Sequence, residues 1–185
     1  VQSILINRVT LSGSGSQPNM VLFDIQSSQK NEVANLTTQY KLPLLQQVPI
    51  VTMRIEEING KNAEAIKKDT TSAIPRWAFE NELRVTYRDT LTDSEKLTEG
   101  KLGAPVKSAN DSIYVSLDER YANALHVKKG DHLIFNVQGR LIQAIVGSFR
   151  KVDWQRVQTN FRLIFPTGVL EAAPQFHVII TRVNS

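Results

Sequence analysis

The chain has 185 residues, 41% of them hydrophobic and 22% charged, with 22 Lys and Arg against 18 Asp and Glu for a net charge of +4. Abundant Leu, Ile, Val and Phe exclude disorder as the main state, and the length suits one domain or two small ones. The absence of cysteine excludes a disulfide scaffold, a thiolate metal site and a cysteine nucleophile.

Val1–Thr10 carries Ile4, Leu5, Arg8 and Val9 at helical spacing and reads as a short helix, too brief to be stable alone. It reads best as the tail of a longer helix. Leu11-Ser12-Gly13-Ser14-Gly15-Ser16-Gln17-Pro18 is a flexible linker by composition. The longest apolar run, Met20-Val21-Leu22-Phe23, is too short to span a bilayer as a helix. The N-terminus shows no basic segment followed by an apolar one, so no signal peptide is read; the chain is cytoplasmic or a piece of something larger.

Met20–Gln26 reads as a buried strand. Ser27 or Ser28 is the expected N-cap of an amphipathic helix, Ser28–Tyr40, with Val33, Leu36 and Tyr40 on its apolar face and Pro43 as its stop. Val48–Ile58 is a strand ending in the hairpin signal Asn59-Gly60, and Lys61 onward has helical composition. This opening packs as a small α/β layer.

The middle is β-rich. Leu83–Tyr87 alternates as a strand, and Leu91–Gly103 reads as a polar loop. Ser112–Ser116 is a strand, with Ser116 the cap of a helix Leu117–Leu125 whose face holds Leu117, Tyr121, Ala124 and Leu125. His132–Val137 and Arg140–Phe149 form a hairpin through Gln138-Gly139. Asn160–Phe165 is a strand, Pro166–Ala173 a turn or short helix, and Phe176–Val183 a strand. The two end patterns are alike, so the strands Met20–Gln26, Val48–Ile58, Asn160–Phe165 and Phe176–Val183 are expected in one sheet.

Little reactive chemistry is legible. His126, His132 and His177 lack metal-ligand spacing. Glu56 and Glu57 are adjacent on a strand and point to opposite faces, so they form no carboxylate pair. Asp153 reads as a turn residue after a long strand rather than the orienter of a histidine. Gly13-x-Gly15 lacks the flanking strand and helix of a phosphate loop. Asn35-Leu36-Thr37 and Asn110-Asp111-Ser112 match the glycosylation triplet only as chance allows. The Lys67-Lys68, Lys128-Lys129 and Arg150-Lys151 pairs each have an acidic residue nearby and read as solvated surface rather than a nucleic-acid face. Trp154, Phe161, Phe165 and Pro166, with Arg156 and Arg162 beside them, form the most unusual cluster. Strand parity makes Phe161 and Phe165 packing residues rather than a stacking platform.

One stretch carries a resemblance. Gly147-Ser148-Phe149-Arg150-Lys151-Val152-Asp153-Trp154, then Asn160-Phe161, then Ile164-Phe165-Pro166-Thr167-Gly168-Val169-Leu170, resembles the extracytoplasmic domain of YbbP-like ABC transporter permeases in the FtsX/MacB permease superfamily. Pro18-Asn19 before Val21–Gln26, Ile58-Asn59-Gly60-Lys61, Tyr87-Arg88-Asp89-Thr90-Leu91, Val115–Glu119 and Val127–Asp131 agree in order, so the resemblance spans about residues 18 to 183.

The resemblance implies an α+β fold in two lobes. A porter-like α/β lobe would come from 18–78 plus 155–185, a β-rich Sabre-like lobe from the insertion 79–154, and 1–17 would be a juxtamembrane segment and linker. It implies a non-catalytic, cofactor-free domain on the periplasmic side of the inner membrane. The implied partners are its own transmembrane helices, a cytoplasmic ABC ATPase, and a periplasmic protein or lipid-like cargo, with no nucleic acid. The role would be mechanical, coupling ATP-driven helix movement to substrate or partner handling. The alternative is a soluble ligand-binding protein or hydrolase-like enzyme on the same two lobes. Arg150, Lys151, Val152, Asp153, Trp154, Asn160, Phe161, Phe165, Pro166 and Gly168 are expected at the lobe junction. There Trp154 anchors the return crossing, and Phe161 and Phe165 enter the α/β core.

Overall fold

A computed structural model describes residues 6–8, 20–155 and 158–181. In chain order the elements are β1 (Ile6–Arg8), β2 (Met20–Gln26), α1 (Lys30–Gln39), β3 (Leu44–Ile58), β4 (Lys61–Asn62), α2 (Ala63–Lys68), α3 (Trp77–Glu80) and β5 (Leu83–Tyr87). Then follow β6 (Glu95–Gly100), β7 (Tyr114–Asp118), α4 (Glu119–Leu125), β8 (His132–Val137), β9 (Arg140–Val152), β10 (Leu163–Phe165) and β11 (Phe176–Thr181). The chain is α+β with strand predominating, and it divides into two compact units. The first draws on Val1–Ile50, Trp154–Thr159 and Gln175–Ser185, the second on Val51–Asp153 and Asn160–Pro174. Residues 51–78, expected with the flanking segments, thus lie with the second unit.

In the first unit β2 pairs antiparallel with β1 and with β11, and β11 pairs antiparallel with the first half of β3, from Phe176↔Ile50 to Thr181↔Leu44. Val178, Ile179 and Ile180 are all buried, so both faces of β11 are covered. Helix α1 lies against β2 and β11. Its buried residue is Thr37, whose hydroxyl donates to Ala34 O at 2.8 Å, while Leu36 and Tyr40 are exposed. The expected Val33–Leu36–Tyr40 face is therefore not the packed one. Tyr40 already sits past the last turn as the C-cap, and the Thr37 hydroxyl enters the interior satisfied by its own helix. No serine caps α1: Gln29 stands at the N-cap without a side-chain bond, and Ser27 Oγ donates to Gln175 O at 3.3 Å.

The expected N-terminal helix is also corrected where it is described. Ile6–Arg8 is a strand, because the open edge of β2 offers ladder bonds that an isolated helical turn lacks. The remainder of that segment and the linker Leu11–Pro18 lie outside the described residues.

The second unit is a closed six-stranded barrel. Its wall runs β3 (from Val51), β5, β10, β7, β9, β8 and back to β3. The β5–β10 and β7–β9 pairings are parallel, the rest antiparallel. In a barrel this narrow, side chains fill the interior. Here Val115, Leu117, Leu133, Phe135, Leu163 and Phe165 do so, with the Phe135 and Phe165 rings edge to face at 5.3 Å. Turn chemistry agrees with the sequence at Asn59-Gly60, where φ is 49° and 76°, the pair of positive values a two-residue hairpin needs.

Four expectations fail in this unit. Asn160–Phe165 does not join β2 and β11; β10 pairs with β5 and β7, in the same sheet as β9. An apolar run says that a strand is buried but not against which neighbour. Leu91–Gly103 is not all loop, because β6 adds to the second half of β9; its polar composition is that of an outer strand with a solvated face. Ser116 is a buried strand residue, and the cap of α4 is Asp118, whose Oδ1 accepts from Arg120 N at 2.9 Å. In α4 the inward small residue is Ala122 rather than Ala124.

Candidate functional site: a buried arginine clamp on β9

Strand β9 alternates with period two. Ile142, Ala144, Val146, Ser148, Arg150 and Val152 face inward, and every one is buried. The first three are apolar. The same parity then carries Arg150 inside, where it is 0% exposed. A buried guanidinium is tolerated only if its donors are met. Arg150 Nε donates to Ser116 Oγ at 3.0 Å, Nη1 to Glu95 Oε1 at 2.5 Å, and Nη2 to Phe161 O at 3.1 Å and Ser116 O at 3.3 Å.

Glu95 takes a second cation. Arg88 Nη2 also lies 2.5 Å from Oε1, with the Glu95 side chain wholly out of solvent and Arg88 only 15% exposed. Glu95 Oε2 accepts from Thr92 N at 3.1 Å, and Glu95 N donates to Thr92 O at 3.0 Å, so a short turn aims the carboxylate inward. The Asp118 carboxylate adds a second negative charge near Arg150. Burial pulls the Arg150 guanidinium down to about 10; Glu95 opposes that fall and Arg88 adds to it. Burial likewise lowers Arg88. At about 10, Arg150 stays charged at neutral pH.

Beside the clamp, Ser94 Oγ donates to Asn160 Oδ1 at 2.8 Å, Asn160 Nδ2 donates to Asp153 O at 3.2 Å, and Asp153 N donates to Ser94 O at 2.8 Å. Arg150, Asp153, Asn160 and Phe161 are therefore tied together by direct bonds, although the chain leaves the second unit after Asp153 and re-enters it at Asn160.

The other residues singled out by sequence fall as follows. Lys151 is exposed and Val152 buried on β9. Phe161 and Phe165 are 4% and 1% exposed, and both belong to the barrel unit rather than the first. Pro166 is buried. Gly168 has φ +94° in the turn after β10, and Val106 N donates to the neighbouring Thr167 O at 2.9 Å. Trp154 stands in a turn of the first unit and is 44% exposed, so it is not the fully buried anchor expected of it. Arg150, read as half of a solvated pair, is the largest fully buried side chain. Lys68 and Lys129 do behave as surface charges, paired with Glu64 at 3.4 Å and Glu99 at 3.1 Å.

Sequence reasoning missed Glu95, Ser94 and Ser116, and gave Arg88 no role. The available signal was Thr92-Asp93-Ser94-Glu95, the Thr-x-x-Glu spacing in which backbone and carboxylate bond reciprocally.

Chemically, the clamp holds charge rather than offering it. Its carboxylate is enclosed between two guanidiniums and its hydroxyl accepts from a third N–H group, so it works as a fastener between β6, β7, β9 and Phe161. Among the described residues no group of three or more His, Cys, Asp or Glu is placed to hold a metal ion. Of the histidines, His126 is the left-handed C-cap of α4, His132 is exposed, and His177 is buried in β11. Among the described residues no helix is long and apolar enough to cross a membrane.

No family model matches the chain. Over 158 residues, 85% of its length, it is 30% identical to the ABC transporter permease YbbP of Escherichia coli (strain K12). The chain spans only 18% of that protein's length. Over most of its length the chain is thus similar to one segment of the ABC transporter permease YbbP.

Proposed function

We propose that this chain is a non-catalytic, extracytoplasmic domain of an ABC transporter permease. It couples ATP-driven movement of membrane helices to the handling of a substrate or partner outside the inner membrane. The observation that carries the reading is the similarity to YbbP over most of the chain. The clamp supports a mechanical role: it fastens distant segments of the barrel without presenting a reactive group, as a rigid force-bearing body requires. In this reading the first unit is the porter-like lobe and the barrel the Sabre-like one, with the boundary moved to Ile50/Val51. Of the expected lobe-junction residues, Trp154 then stands in the chain's passage between the units, and the others belong to the barrel unit. A cytoplasmic ATPase and the permease's own transmembrane helices are the partners, and a lipid-like or hydrophobic compound is the cargo class.

The test uses the full-length permease, made free of any cysteine. One cysteine is introduced at Lys128, an exposed position in a chain that itself contains no cysteine. Intact cells with a permeable outer membrane are treated with a membrane-impermeant maleimide. Labelling equal to that of a periplasmic control supports the reading, and labelling only after lysis overturns it. A second measurement follows ATP turnover by the reconstituted permease and its ATPase. Removal of residues 20–181 is expected to leave the complex assembled but abolish cargo-dependent stimulation.

A further inference from the structure

Strand β9 is longer than its neighbours. Arg140–Ile145 pairs with β8 on one side, but on the other β7 begins only at the Tyr114↔Ile145 pair. The barrel wall is therefore open beside Arg140–Ala144. The chain leading into β7, Val106–Ile113, bends away there, and a groove of about 990 Å³ lined by it, the β9 edge and His132 and Ile134 of β8 opens beside them.

The pairing rules say which backbone groups face that groove. In a two-residue hairpin the residues flanking the turn exchange both hydrogen bonds. With Val137↔Arg140 closing the Gln138-Gly139 turn, Arg140, Ile142 and Ala144 aim their N–H and C=O at β8. Leu141 and Gln143 aim theirs the opposite way. Ile145, next in that series, confirms the parity by donating to Ile113 O at 2.8 Å. Among the described residues nothing bonds the outward amides and carbonyls of Leu141 and Gln143. The edge carries no proline, no bulge and no inward charge; Arg140 at its turn end is its one charged side chain, and Leu141 is 60% exposed.

The rim selects the charge of an occupant. Lys107 and Arg140 line the groove, and among the described residues neither forms an ion pair. Asp111 also lines the groove, held by its Oδ2 accepting from Lys107 N at 2.9 Å and Ser108 N at 3.0 Å, so the rim carries two cations against one carboxylate. A strand with acidic side chains would pair both cations, while apolar side chains of the other parity would meet Ile113, Ile145 and Val169.

We propose that the free edge of β9 at Leu141 and Gln143 takes an extended acidic peptide segment of a partner protein as an added strand. This is recognition by β-augmentation, in which main-chain bonds supply affinity and alternate side chains supply specificity. The inference rests on the pairing geometry of the barrel and stands whether or not the permease reading does.

The test is a random decapeptide display library panned against the whole 185-residue chain, followed by NMR with the enriched peptide synthesised. Enriched sequences are expected to alternate apolar residues with Asp or Glu. Binding should slow hydrogen exchange at the Leu141 and Gln143 amides at least about tenfold. Gln143→Pro removes an outward N–H that no native ladder bond uses, and should weaken binding about tenfold with an unchanged unfolding midpoint. Arg140→Glu, a surface change, should weaken it at least as much and reduce its salt dependence, Lys107 remaining. The proposal is overturned if no acidic sequence is enriched, or if both variants bind as the parent does. It is also overturned if Leu141 and Gln143 become protected with rising protein concentration and no peptide, which would assign the edge to a second copy of the chain.

Discussion

Arg150 Nη1 and Glu95 Oε1 lie 2.5 Å apart, 55 positions apart in sequence, and both side chains are fully removed from solvent. Arg88 would still pair with Glu95 if Arg150 were removed, but a large buried site would be left empty and the buried oxygens of Ser116 and Phe161 would lose their donor. Arg150→Ala is expected to destabilise the chain by about 3–5 kcal/mol. Arg150→Lys keeps the charge but loses the fork that reaches Ser116, Glu95 and Phe161 together, so it should recover less than half of that loss. Urea midpoints of the two variants check both statements, and a wild-type midpoint for Arg150→Lys would show that charge alone suffices.

Gly168 is bound by backbone geometry and by space. Its φ is +94°, and a Cβ there would fall 1.9 Å from Val106 O. Gly60 has a comparable φ of +76° but nothing within 4 Å of a built Cβ. Gly60→Ala should therefore cost about 1 kcal/mol, the conformational penalty alone, whereas Gly168→Ala must also displace the Val106 segment and should cost about 3 kcal/mol or more. Thermal melts of the two single variants decide it by their difference.

Trp154 and Phe165 make a second contrasting pair. Truncating Phe165, 1% exposed and packed on Phe135, should cost about 3–5 kcal/mol. Trp154→Ala removes a ring that is 44% exposed and should cost about 1 kcal/mol. A Trp154→Ala variant as unstable as Phe165→Ala would restore the anchoring role.

His177 makes stability depend on pH. The ring is buried, and burial, with the charge of Lys30 adding to it, holds its pKa below the ordinary 6.5. Ser27 Oγ lies 3.4 Å from Nε2, and among the described residues Nδ1 is buried without a partner. As pH falls through about 6.5, the unfolded chain takes up a proton that the folded ring resists, so stability is greatest above that pH and declines below it until the folded ring protonates as well. Unfolding midpoints measured between pH 7.5 and pH 5, by our expectation, fall for the parent (roughly one pKa unit corresponds to 1.4 kcal/mol) and lose most of that slope in His177→Gln.

Asp69 governs a more acidic window. Hydrogen bonds from Lys61 and Thr71 hold its carboxyl down to about 2, against an ordinary 3.8. Its contribution is present above about pH 3.8 and disappears as pH falls toward 2. Asp69→Asn should flatten that portion of the acid-unfolding curve and leave the His177 slope intact.

The residues themselves determined the local conformations of this protein. Asn59-Gly60 and Gln138-Gly139 adopt the positive φ values that turn strands back on themselves, and Leu83–Tyr87, His132–Val137 and Met20–Gln26 alternate or concentrate apolar side chains as strands must. The ordered Arg150…Asp153…Asn160-Phe161 spacing that carried the family resemblance was likewise legible, though not its purpose. Tertiary structure alone decided which strands became neighbours. Whether Leu163–Phe165 joins β11 or β7 depends on contacts far away in sequence, and an apolar triplet fits either. The closure of β3 onto β8 makes the barrel, and strand parity then carries Arg150 into an interior where Glu95, from a polar stretch that read as loop, meets it together with Ser116 and Phe161 O. The open edge at Leu141 and Gln143 exists for the same reason: a strand's free side is set by where its neighbour begins, and no side chain on the strand records that.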